Sequence, residues 1–289
     1  MSCTQAHAAY SLVQVASGAW SVRSLAEGET FHPVIGPAAE AEALYVRQLR
    51  IPERAAAVPD EFVVWDVGLG AAANVLAVVR AMGDTAARLR VESFDHTAEP
   101  LRFARSESDR LGYFGGLERA VDDLLEHRDV SFQQGACTVR WRFHEADFPS
   151  WLRVGDTSVP PPEAILFDAF SPARNPAMWT LDLFQRLRSR VGQRPATLAT
   201  YSRSTLLRVT LLVAGFHVGA GHATGEKEET TVASTEASLA GRLLDDAWLA
   251  RATRSTSAEP LHQPQYQQQP LSPETRARLE AHPQFRRAA

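Results

Sequence analysis

The chain has 289 residues, 45% hydrophobic and 22% charged, which is enough to build a sizeable core in one large domain or two small ones. A formal net charge of -4 gives no overall attraction to nucleic acid or to an anionic membrane, so a polyanion has to be met by a local basic patch. The two cysteines, Cys3 and Cys137, form neither a disulfide framework nor a metal cluster, and they read as free thiols with no metal site expected. The opening residues "MSCTQAHAAYSLVQVASGAW" lack a basic stretch followed by an apolar one, and no apolar run is long enough to span a bilayer. The expectation is a cytoplasmic protein without membrane contact.

In chain order, Leu12 to Tyr45 read as short strands and turns leading to a short helix, with turn signals at Pro33 and Gly36-Pro37. "EFVVWDVG" is a continuous apolar run that stops at glycine, as a strand buried on both faces does. "AAANVLAVVRAM" follows with helical periodicity, and "LRVESFD" is a strand ending on Asp95. Two helices broken near Gly115-Gly116 are expected between Ala98 and Arg128, then strands in "TVRWRFHEAD" and "EAILFDAF" ending near Asp147 and at Asp168. "WTLDLFQRLRSRV" is an amphipathic helix, "ATLATYS" a strand, and "STLLRVTLLVAG" a helix closed by Gly215. "FHVGAG" and "ETTVAST" make a closing pair of strands. The alternation argues for an open, mostly parallel α/β sheet with an antiparallel hairpin at one edge. Beyond Leu239, "RLLDDAWLARA" reads as a helix, "QPQYQQQP" as a linker, and Ser272 as the N-cap of a last short helix. The expected division is an N-terminal extension over 1–57, a Rossmann-like domain over 58–240 and a tail over 241–289.

Ligands of such sheets bind outside the carboxyl ends of the strands, and Asp66, Asp95, Asp147 and Asp168 all fall there. In "DVGLGAAAN", Gly68 and Gly70 permit a tight turn and close approach of a ligand, and with Ala73 they match the loose dinucleotide pattern G-x-G-x-x-A. A carboxylate two residues before the first glycine repels a pyrophosphate but suits S-adenosylmethionine, which carries an ammonium, a sulfonium and no phosphate. Asp95 is placed to accept from ribose hydroxyls. Asp147, with Phe148 beside it, is equally readable as an adenine contact or as a helix cap. Asp168 closes the set: it can accept a hydrogen bond from an amine nucleophile and orient its lone pair, with Asn175 in the same loop. Pro172 and Pro176 stiffen that loop into a substrate wall.

These residues resemble a known family. "DAFSPARNPAMWTLDLF" resembles the signature of MnmC-type methyltransferases, the methyltransferase part of the bifunctional enzyme that finishes 5-methylaminomethyl-2-thiouridine at the tRNA wobble position. The resemblance extends to "DVGLGAAANVL", "SFD", "HEAD" and "TLATYS", and to the order of elements from about Thr30 to Thr235. It implies a class I S-adenosylmethionine-dependent fold with Asp66, Gly68, Gly70, Asn74, Asp95, Asp147 and Phe148 around the cofactor. It implies that Asp168 and its loop, including Phe170, Pro172 and Asn175, face the aminomethyl group, with Asp168 and Asn175 catalytic. The charge pattern itself adds Arg174 and Arg203, which flank predicted strand ends, and Lys227 as the basic residues for the tRNA. Two departures stand out in the signature regions: Ala72 takes the place of a third glycine, and "GHATGEKEETTV" is acidic, with Lys227 as the only lysine of the chain. The FAD-dependent oxidase of the bifunctional enzyme has no counterpart in this sequence, so methylation alone is expected, with the oxidase step left to a separate protein.

Three other readings compete. One keeps the cofactor but makes the acceptor a small amine or peptide, on the strength of the acidic loop. A second is an NAD-dependent oxidoreductase using the glycine turn, and a third a non-catalytic scaffold. Arginines at Arg186, Arg188, Arg190, Arg194 and Arg208 could contact phosphates, but the Arg186 to Arg190 group reads first as a solvated helix face.

Overall fold

A computed structural model describes residues 9–223 and 229–286. A nine-stranded sheet runs through it in the order β11-β9-β10-β8-β7-β3-β4-β6-β5. Its strands are β3 (Glu61–Val67), β4 (Arg88–Asp95), β5 (Asp129–Gln134), β6 (Cys137–Glu145), β7 (Ala164–Phe167), β8 (Thr197–Thr200), β9 (His217–Gly221), β10 (Thr230–Ser234) and β11 (Arg242–Leu243). The central strands β8, β7, β3, β4 and β6 are parallel, and β5, β10, β9 and β11 are antiparallel to their neighbours. A separate hairpin, β1 (Tyr10–Gln14) with β2 (Trp20–Ser24), forms a second sheet.

The apolar runs read as buried strands are buried on both faces. Along β3, Phe62 and Val64 point into one core, while Val63, Trp65 and Val67 point into the other. The first core takes the helix Ala73–Ala81, the helices between β4 and β5, and Val22, Leu44, Tyr45 and Ile51 of the N-terminal segment. The second takes the helices Leu181–Val191 and Thr205–Val213, and also Trp248, Leu261 and Leu279 of the C-terminal segment. Described residues before and after the central sheet are therefore built into its cores.

Several expectations need correction. Between β4 and β5 there are three helices, Glu99–Ser106, Ser108–Leu111 and Glu118–His127, and β5 itself was not expected. The closing pair β9–β10 is the antiparallel hairpin the sequence predicts, with β10 against β8, but it is not outermost, because the two-residue strand β11 pairs with β9 beyond it. Asp147 lies beyond β6, at the N-cap of the helix Phe148–Val154, where its Oδ2 accepts from the Ser150 amide at 3.1 Å. Ser272 caps the helix Pro273–Glu280 as the sequence predicts, accepting from the Thr275 amide.

The topology has one decisive consequence. From β3 the chain crosses to β4 on one side, and β7 joins on the other, so the carboxyl end of β3 is the topological switch where a crevice opens.

Candidate active site

A cavity of about 690 Å³ lies at that switch point. Its floor is the turn after β3. Gly68 has φ +97, and a Cβ there would stand 2.6 Å from the backbone oxygen of Asp168. Only glycine lets the ends of β3 and β7 come this close. Gly70 has φ +50, and its amide donates to Asp95 Oδ2 at 2.9 Å. Ala72 is left-handed at φ 60, directly before the helix Ala73–Ala81, so an alanine takes a backbone conformation that glycine adopts more readily.

The loop after β7 forms one wall, and its signature residues have structural reasons. Trp179 is buried and donates its indole N–H to the carbonyl of Phe170 at 2.8 Å. The Tyr201 hydroxyl donates to the carbonyl of Ala169, and Ser171 Oγ donates to Glu29 at 2.6 Å. Phe170 meets Phe31 with ring centres 5.7 Å apart. Proline, tryptophan and tyrosine thus hold the loop from behind, while Glu29 and Phe31 of the N-terminal segment close over its front.

Asp168 begins where β7 ends. Asn74 Nδ2 donates to Asp168 Oδ2 at 2.8 Å, and His32 Nε2 lies 3.3 Å from the same oxygen and 2.9 Å from Asn74 Oδ1. Burial pulls the His32 imidazole down, but the hydrogen bond and charge of Asp168, with Glu40 and Asn74, outweigh it and bring its pKa to about 9. Below them, Tyr45 stands on a π-helical turn, Glu42–Arg47, a distortion frequent at functional sites. Its hydroxyl is buried beside Asp168 and Asp66, and burial first, then these carboxylates, push it well above the ordinary tyrosine range.

Of the residues expected in the site, Gly68, Gly70, Asn74, Asp95, Asp147, Phe148, Asp168, Phe170, Arg174 and Asn175 all line this cavity. Asp66 is placed differently. It is fully buried beneath the floor, outside the lining, with Oδ2 accepting from Ser93 Oγ at 2.8 Å and Oδ1 without a partner. Burial raises its pKa to about 8 despite the Ser93 hydrogen bond, so it keeps its proton at neutral pH rather than presenting a charge. Pro172 shapes the loop from outside the lining, and Arg203 is exposed and also outside it. Lys227 and most of its acidic loop lie outside the described residues.

Arg186, Arg188, Arg190 and Arg194 are tied into the body of the protein, to Asp182, to the carbonyls of Gly215 and Gly192, to those of Asp156 and Val159, and to Glu163. Arg208 is buried against Glu229 and Thr231. The residues missed by sequence reasoning come mostly from the N-terminal segment: Tyr10, Arg23, Glu27, Glu29, Phe31, His32 and Glu40 all line the cavity. The turn signals at 33–37 mark a loop there, but no local pattern says that it folds over a strand end.

The lining fits S-adenosylmethionine. Glu27, Glu29, Glu40, Asp95, Asp147 and Asp168 give six carboxylates against Arg23, Arg174 and two histidines, His32 and His96. That excess suits a cationic ligand and disfavours a dinucleotide. One Asp95 oxygen accepts from Gly70, while the other pairs with His96 at 3.0 Å. Phe94 and Phe148 bring apolar surface beside Asp147, their rings 5.1 Å apart.

Comparison with known proteins agrees. Residues 120–236 match the family described as S-adenosyl-L-methionine-dependent methyltransferase. The chain is 29% identical over 262 residues to the tRNA 5-methylaminomethyl-2-thiouridine biosynthesis bifunctional protein MnmC of Stutzerimonas stutzeri, covering 86% of this chain and 39% of that one. It is 30% identical over 222 residues to the protein of the same name from Cupriavidus metallidurans, covering 71% of this chain and 31% of that one. The chain thus spans well under half the length of these relatives. Among solved structures, MNMC2 from Aquifex aeolicus superposes with a TM-score of 0.67 at 23% identity, over 87% of this chain and 78% of that one. Residues 120–236 thus carry the match to S-adenosyl-L-methionine-dependent methyltransferases, and over most of its length the chain is similar to part of the bifunctional MnmC proteins and shares its fold with MNMC2.

Proposed function

We propose that the chain methylates the nitrogen of a 5-aminomethyl group on the wobble uridine of tRNA. The observation that carries this reading is Asp168, an acidic strand end held by Asn74 and facing a cavity walled by the signature loop. S-adenosylmethionine, when bound, supplies the methyl group. Gly68 and Gly70 leave room for it, Asp95 is placed for ribose hydroxyls, and Phe94 and Phe148 with Asp147 for adenine. Asp66 supports this cradle from beneath, through Ser93, instead of touching the ligand.

The protein's own work is positioning. Asp168 accepts a hydrogen bond from the acceptor amine, orients its lone pair, and stabilises the positive charge that develops on nitrogen. Asn175 lines the same wall and assists in orienting the amine. Phe31 and Phe170, in contact in the lining, offer surfaces for an unstacked base, while Arg23 and Arg174 line the same cavity to meet phosphate. Arg203, exposed outside the cavity, is available for contacts farther along the RNA, and Lys227 lies outside the described residues. The names of the relatives support the acceptor. In this reading the reaction runs in the cytoplasm, and a separate FAD-dependent oxidase delivers the aminomethyl nucleoside.

The excess of carboxylates in the lining gives a second reading some ground, namely a small free amine as acceptor. Labelled methyl transfer separates the two. The tRNA reading predicts label on tRNA bearing 5-aminomethyluridine, none on unmodified tRNA, and binding that weakens steeply with added salt. Label on small amines alone, insensitive to salt, overturns it.

A further inference from the structure

His32 was not marked by any sequence motif, yet it occupies the most constrained position beside the acceptor carboxylate. Its backbone is left-handed at φ 49, uncommon for a residue with a side chain, and its side chain is only 11% exposed. The hydrogen-bond pattern fixes its proton. A carboxylate only accepts, so the Asn74 amide must turn its Nδ2–H to Asp168 and its Oδ1 to His32. Nε2 of His32 therefore carries a hydrogen in both charge states. The second proton belongs on Nδ1, which is buried and has no hydrogen-bond partner.

The titratable groups around the ring are carboxyls. Asp168 faces it from the end of β7, Glu40 from the helix Pro37–Ala41, and the protonated Asp66 from beneath the end of β3. Glu40 is itself fixed, accepting from the amides of Val34 and Ile35. Tyr45 faces Asp168 from the π-helical turn and holds its own proton.

We propose that His32 is a positioning residue that carries a positive charge beside Asp168: it aims the carboxylate through Asn74 and opposes the ammonium form of the incoming amine. The proposal rests on the acceptor being an amine. An ammonium ion beside an isolated carboxylate is stabilised and holds its proton, and in that state it has no lone pair to give. With an imidazolium against Oδ2 of the same carboxylate, that stabilisation is offset, as for a lysine held near another cation. The ammonium loses its proton to solvent, leaving a neutral amine hydrogen-bonded to Asp168.

Two measurements test this. The first is a nitrogen-15 titration of the histidines in the unliganded protein, with wild type and Asp168→Asn compared. An imidazole titrating near pH 9 in wild type that falls by at least one pH unit in the variant is expected. A His32 that titrates at its ordinary value in both proteins overturns the charge pair, whatever the acceptor is. The second is the pH profile of kcat for His32→Gln. Its acid limb should move upward by about one pH unit, giving roughly a tenfold loss at neutral pH that shrinks as the pH rises. A uniform loss at every pH, with the limb unmoved, means that His32 only supports the fold and overturns the proposal. Absence of methyl transfer by wild type to the aminomethyl tRNA is a separate result: it counts against the acceptor, and the titration still decides the charge pair.

Discussion

In the proposed reaction a carboxylate that receives an amine has to be ionised and aimed, and Asn74 and His32 are side chains in contact with Asp168 that would meet both needs. The same groups make stability depend on pH. His32 has a raised folded pKa of about 9, so the folded state binds its proton more tightly than the unfolded chain and this stability is lost as pH rises from about 6.5 through 9. Asp66 acts in the same direction, because its pKa is raised from 3.8 to about 8 and the buried carboxyl resists ionising. Chemical denaturation should therefore show stability falling between about pH 4 and 8, and Asp66→Asn should flatten that decline. A slope unchanged in the variant would place the titrating group elsewhere. Asp168 was legible in the sequence because an apolar run ends on it. His32 was not, since its partner Asn74 is 42 residues away and only the folded chain brings them together.

At the scale of elements, the strands that position the site were legible for a physical reason. A strand buried on both faces has no polar alternation and ends abruptly at glycine or aspartate, as β3, β4 and β7 do. β5 escaped because "DVSFQQ" lies at an edge with most of its residues partly or fully exposed, so it carries little apolar signal. The π-helical turn at Glu42–Arg47 escaped because its sequence is ordinary helix-forming sequence. The signature loop was legible as a stiff wall but not as a clamped one. Its restraint comes from Trp179 behind and Glu29 in front, so the two should separate by experiment. Trp179→Phe leaves the Phe170 carbonyl without its buried donor and opens a small void, which should lower stability by about 2 kcal/mol. Glu29→Ala removes only the frontal tie, and a several-fold rise in KM for the acceptor with little change in Tm is expected. Equal losses of stability in both variants would contradict this division.

For the whole molecule, the parallel centre of the sheet sets the crevice, and the chain before it supplies the roof. The β1–β2 hairpin and residues 27–33 close over the carboxyl ends of β3, β4 and β7, which is why so much of the lining comes from a segment that read only as strands and turns. The arginine-rich helix Leu181–Val191 spends its charge on the protein itself, whereas Arg23 and Arg174 line the cavity, where the proposed tRNA acceptor would meet them. Among the described residues no helix is long and apolar enough to cross a membrane. The central claim, an amine methylated beside Asp168, is tested most directly by nucleoside mass spectrometry. tRNA bearing 5-aminomethyluridine would be incubated with S-adenosylmethionine and either wild type or Asp168→Asn, then digested. The account predicts the 5-methylaminomethyl nucleoside with wild type, a loss of at least a hundredfold with the variant, and S-adenosylhomocysteine binding unchanged by calorimetry. Product formed equally by both proteins, or methyl found on another nucleoside, would contradict it.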